Sequence, residues 1–171
     1  MGSMPQDPAA WRSFGETLAG SFATRARGSL LGASEFVIQD RRGGRVGRLE
    51  IHGPAGAELD AGELRAQIER PAPSRYAMLA GGEQILAAGP VGSISTPEIR
   101  CFGRLYRGRL SLLRNKAEAA PSGEAVKVGV TGGLTNRNYG AVFDAGDEGS
   151  LPVAIFLLYL LIALRREAYL T

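Results

Sequence analysis

The sequence predicts a mainly β, antiparallel domain folded around an apolar C-terminal helix, and three observations carry that expectation. First, 24 glycines and 9 prolines punctuate the chain between short apolar stretches, the spacing of many strands and turns. Second, an apolar fraction of 44% with 22% charged residues is that of a folded globular chain and excludes wholesale disorder. Third, the run from Leu151 to Leu164 has no polar face, so it must be surrounded by lipid or protein. A length of 171 residues holds one domain with a real core but not two ordinary ones.

Taken in chain order, Met1-Gly2-Ser3-Met4 reads as an expression-tag remnant. Asp7-Pro8 supplies an N-cap and a first-turn proline, and Trp11, Phe14, Leu18 and Phe22 follow at helical spacing. A short amphipathic helix is therefore expected to about Thr24, weakened by Gly15 and Gly20 at about 1 kcal/mol each relative to alanine. Residues 1–34 are assigned to remnant and N-terminal helix or arm, and residues 35–171 to a single β domain.

From Glu35 the pattern becomes strand and turn. Phe36 to Asp40, the Gly43-Gly44 turn and Val46 to Ile51 predict a hairpin. Tyr76 to Ala80, Gly81-Gly82 and Gln84 to Ala88 predict a second. Between them Leu59, Leu64 and Ile68 fit a short helix or further strand. Glu98 to Asn115 reads as two strands around Arg107-Gly108, Ala117 to Glu124 as a long loop, and Ala125 to Val130 and Asn138 to Asp144 as two more strands. These suffice for a barrel or a sandwich.

The final run of about 14 apolar residues spans roughly 21 Å at 1.5 Å per residue, short of the about 20 residues a hydrocarbon core requires. A buried core helix is expected over a membrane anchor, with Pro152 near its start and Arg165-Arg166 at its end.

A β-rich chain ending in a Leu-Pro-containing apolar helix, after hairpins such as Phe36-Val-Ile-Gln-Asp-Arg-Arg-Gly-Gly-Arg45, resembles the tubby C-terminal-like superfamily. That group includes tubby domains, phospholipid scramblases and plant LURP-one-related proteins. The resemblance covers about Glu35 to Leu164 and implies a closed antiparallel β-barrel enclosing the hydrophobic C-terminal helix. No residue here matches the basic phosphoinositide site of the tubby branch, so no role is carried over from it. Scramblases have an acidic segment before the final helix. Asp144, Asp147 and Glu148 stand in a similar place and are the calcium candidates that the resemblance raises, although Gly146 and Ile155 fall where an EF-hand needs oxygen ligands.

Composition narrows the chemistry. With His52 the only histidine and Cys101 the only cysteine, a Cys-His pair could only be these two, and a conventional zinc site lacks ligands. Cys101 falls on the inward phase of its strand, where an inert thiol is expected, and His52 beside Gly53-Pro54 reads as a surface turn residue. The glycine-rich stretches lack a phosphate-loop ending. Neither catalysis nor a cofactor is expected.

The lone cysteine and the lack of a leader-like opening suit a reducing cytoplasm. A net charge of +3 permits anionic partners without demanding them. Strand alternation predicts one outward face bearing Arg100, Phe102, Arg104 and Tyr106, adjoined by Arg107 and Arg109 and by Arg114. Its arginines suit phosphate and its aromatics suit lipid or stacked bases. The expected function is a non-catalytic module that binds acidic phospholipid or a protein partner at the cytoplasmic membrane surface, peripherally rather than integrally. Single-stranded nucleic-acid binding and a membrane-anchored, scramblase-like role are the alternatives.

Overall fold

The structure, a computed structural model, describes residues 7–28, 35–52, 56–89 and 95–170. Residues 1–4 and the bend expected at Gly53-Pro54 lie outside these residues. Helix α1 is Pro8–Thr17 and helix α2 is Ser150–Leu170. Between them run β1 (Ser21–Arg27), β2 (Glu35–Gln39), β3 (Arg45–Ile51), β4 (Gly56–Ala61), β5 (Leu64–Ala72) and β6 (Arg75–Ala80). The chain continues through β7 (Glu83–Ala88), β8 (Glu98–Cys101), β9 (Arg104–Ser111), β10 (Lys116–Pro121), β11 (Val128–Gly132) and β12 (Asn138–Phe143). Every strand pairs antiparallel with its chain neighbours and β1 closes on β12, making an up-and-down barrel with no free edge.

Two-residue periodicity builds the wall. In β5 Leu64, Ala66 and Ile68 point inward while Arg65, Gln67 and Glu69 face out, and β12 alternates in the same way. Charged residues such as Arg48, Glu58, Arg65, Arg107 and Glu118 occupy the outward phase. That is the inverse of the apolar-out band of a transmembrane barrel.

The lumen is filled by α2, whose residues Leu151 to Leu164 are all buried. Alanines at inward positions, including Ala57, Ala66, Ala80, Ala117, Ala119 and Ala141, leave room for a helix about 10 Å across. Larger wall residues interleave with them: the Tyr76 ring lies 5.7 Å from Phe156 and 6.2 Å from Tyr159. Burial pushes the Tyr159 hydroxyl up to about 12. Among the described residues no helix is long and apolar enough to cross a membrane.

The expected fold class is therefore the observed one, and three local expectations are corrected. The first helix stops at Thr17 and not near Thr24. Ala19 adopts φ +57°, its N–H donates to Glu16 and that of Gly20 to Gly15, a Schellman ending that turns the chain into β1. Part of the expected 1–34 arm thus belongs to the barrel. The undecided Leu59, Leu64 and Ile68 are all strand residues facing inward. The loop expected at Ala117 to Glu124 is largely β10, where Ala117, Ala119 and Pro121 point inward.

The hairpin expected to turn at Arg107-Gly108 turns instead at Phe102-Gly103, with φ of +50° and +78°. Gly108 lies within β9, where an added Cβ would stand 2.9 Å from Pro97 Cγ. Its glycine serves a close approach and not a turn.

Candidate functional site

The relocated turn changes which side chains β8 and β9 present. A two-residue turn leaves Cys101 opposite Arg104 and Ile99 opposite Tyr106, so these four share the inward phase. Arg100, Arg107 and Arg109 remain outward and exposed. The expected face of Arg100, Phe102, Arg104, Tyr106, Arg107 and Arg109 is thus split. Tyr106 is buried inside the barrel, and Phe102 sits half-buried in the turn against the core. Arg107 pairs in register with Glu98, and Arg109 with Glu118. Cross-strand carboxylates therefore interrupt a row that the linear sequence shows as basic.

The inward members build a polar network at the start of α2. Tyr106 donates its hydroxyl hydrogen to Asp147 Oδ2 at 2.6 Å, while Asp147 Oδ1 accepts from the Gly149 N–H at 3.2 Å. The Arg104 guanidinium stands 3.3 Å from Asp147 and also pairs with Glu124. Burial, together with the hydrogen bond to Asp147, raises the Tyr106 hydroxyl far above its ordinary range. Gly149 makes the approach possible, because a Cβ there would stand 2.5 Å from the Tyr106 hydroxyl. Ser150 completes the joint by donating to the Asp147 carbonyl at 2.9 Å. The network anchors the entry of the helix.

The calcium candidates are used in the same joint. Asp144 accepts from the Gly146 N–H at 2.9 Å and meets Lys127 Nζ at 3.2 Å, and these hold its carboxyl below the usual range. Asp147 is committed to Tyr106, Gly149 and Arg104, and Glu148 is exposed. Their oxygens do not converge. Among the described residues the converging set is Glu50, His52 and Glu58, whose ligand atoms lie within 4.8 Å of one another. Glu50 and Glu58 face each other across β3 and β4, and His52 Nε2 lies 3.6 Å from Glu58. Sequence reading placed His52 at the surface but missed both glutamates, since only the strand register brings them to it.

Cys101 is fully buried, and burial raises its thiol far above the ordinary range, which disfavours the nucleophilic thiolate. The gap between α1 and α2, lined by Trp11, Phe14, Leu18 and Ile155, holds about 10 Å³, the room of one water at most. Larger concavities lie outside. One of about 520 Å³ runs past Arg48, Glu50, Glu58, Asp60 and Arg65. Another of about 380 Å³ lies against Asp7, Glu83, Arg100 and Phe102.

No protein-family model matches the chain, and no curated protein matches it either. A solved structure of a protein from Arabidopsis thaliana shares the architecture, with a TM-score of 0.53 over 81% of this chain and 89% of that chain at 12% identity. At that identity the likeness establishes the fold and carries no site residue.

Proposed function

We propose that the chain is a non-catalytic binding module whose barrel exterior meets an anionic membrane surface on the cytoplasmic side. The observation that supports the reading is the division between a lumen filled by α2 and an exterior bearing the arginines: Arg100, Arg107 and Arg109 all point outward, while Cys101 is sealed inside. Recognition is thereby left to the outer surface. Arginine suits lipid phosphate, and the tubby-like resemblance of the sequence points the same way. Burial of Tyr106 weakens the single-stranded nucleic-acid alternative by removing one of its two stacking platforms.

Vesicle flotation tests the proposal. The protein should float with vesicles containing phosphatidylserine, should not float with phosphatidylcholine alone, and should be released by salt. A basic residue near such a surface contributes about 1 kcal/mol, so replacing Arg100, Arg107 and Arg109 together by glutamine should weaken binding by roughly tenfold or more with the fold intact. Wild-type protein that stays unbound at low salt, or that shifts single-stranded RNA while ignoring vesicles, would overturn the reading.

A further inference from the structure

The end of the barrel where α2 finishes carries a feature that the arginine face does not explain. The β9–β10 turn and the β11–β12 loop meet there and are tied together. The Gly132 N–H donates to the Asn115 carbonyl at 2.8 Å, and the Asn115 amide donates to the Gly133 carbonyl at 3.0 Å. Arg165 on α2 clamps both, donating to Asn136 Oδ1 at 2.6 Å and to the Leu112 carbonyl. The backbones of both loops are thus held by buried or half-buried polar groups.

From this braced rim two leucines face solvent: Leu113 is 86% exposed and Leu134 is 102% exposed. A single exposed leucine is ordinary. Two on adjoining braced loops are a different matter when their surroundings are considered. The segments 112–116 (Leu-Leu-Arg-Asn-Lys) and 133–137 (Gly-Leu-Thr-Asn-Arg) contain three cations and no carboxylate. Arg114 and Lys116 are exposed beside Leu113. The Arg137 guanidinium braces the Ala26 and Gly28 carbonyls at the end of β1.

Apolar tips flanked by cations match the two layers of an anionic bilayer, acyl chains below and phosphate or carboxylate headgroups above. We infer that this end of the barrel is the membrane-contacting pole, with Leu113 and Leu134 entering the headgroup–acyl boundary and Arg114 and Lys116 meeting the anionic headgroups. The inference rests on the membrane reading above and specifies which part of the exterior makes contact.

The test uses the full chain and vesicles of phosphatidylserine with phosphatidylcholine. Replacing Leu113 and Leu134 together by aspartate should weaken flotation by at least roughly tenfold, with thermal unfolding unchanged because neither side chain is buried. In a Trp11→Phe background, Leu134→Trp should shift its emission to the blue when vesicles are added and should be quenched by brominated acyl chains. Undiminished flotation of the aspartate variant, or an unshifted and unquenched indole on a protein that floats, would overturn the pole while leaving the membrane reading in place. Failure of the wild type to float at all would remove both. Concentration-dependent self-association of the wild type, abolished in the aspartate variant and unaffected by vesicles, would assign the leucines to a second copy instead.

Discussion

The two ends of the barrel are closed by opposite means. Where α2 begins, α1 lies over the opening with Trp11 and Leu18 buried, and the network of Asp147, Tyr106 and Arg104 fixes the first turn of the helix. Where α2 ends, Arg165 reaches the Leu112 carbonyl and Asn136, and Arg166 lies 6.0 Å over the Phe36 ring. The first closure buries apolar surface; the second braces loops by polar contacts and leaves Leu113 and Leu134 in solvent. The contrast teaches that one pole is closed largely by buried side chains and the other by polar ties between loops that leave two leucines in solvent.

The largest test removes what both closures hold. A chain ending at Gly149 lacks α2, leaving the inward leucines, isoleucines and aromatics of the wall without a partner. It should lose cooperative unfolding and near-UV circular dichroism, since burying even one leucine is worth about 2–5 kcal/mol. A cooperative transition in the truncated chain would show that the wall stands by itself.

At the sealed end, Trp11→Ala should cost about 3–5 kcal/mol in urea unfolding. Trp11→Phe should cost less, because the indole Nε1 is buried without a hydrogen-bond partner among the described residues, so its removal relieves a desolvated donor. Asp147→Ala should cost about 1–3 kcal/mol, mainly by leaving the Tyr106 hydroxyl buried without its acceptor. Gly149→Ala, which crowds that hydroxyl, should destabilise in the same direction. Equal effects from the corresponding changes at the opposite pole would erase the contrast.

A smaller effect lies in pH. The Asp144 carboxyl is held low first by the Gly146 N–H and further by Lys127. Its contribution is therefore present above the ordinary carboxylate value of about 3.9 and is lost as pH falls through the lower folded value. Asp144→Asn should flatten the acid limb of a stability–pH curve, and an unchanged limb would show that neither the Gly146 N–H nor Lys127 holds the carboxylate in solution. Smallest of all, Leu113→Ala and Leu134→Ala should each shift stability by no more than about 0.5 kcal/mol. A larger loss would place these side chains in the fold and not on a contact surface.

Much of the fold was legible because its signals are local. Gly81-Gly82 and Gly43-Gly44 mark turns between the strands that the sequence predicts, and α2 announces itself by an apolar run with no polar face. The candidate face was legible only in part. Arg107-Gly108 looks like a turn and Phe102-Gly103 does not, since Phe102 is a residue for which positive φ is unusual. Moving the turn inverted the phase of Tyr106 and carried it from the expected surface into the core. The pairing of Arg107 with Glu98 and of Glu50 with Glu58 depends on register, which a linear reading does not contain.

By itself the sequence determined a mainly β chain, a helix too apolar to face water, and a single thiol and a single imidazole. Periodicity, turn residues and composition act over a few positions, and hydrophobicity needs no partner to be recognised. Only the tertiary structure decided that twelve strands close into a ring around α2, that Asp147 is spent on Tyr106 and Arg104, and that Leu113 and Leu134 come to one rim. Those outcomes depend on contacts between residues far apart in the chain, and their identity is set by strand register and by which pole of the barrel each turn reaches.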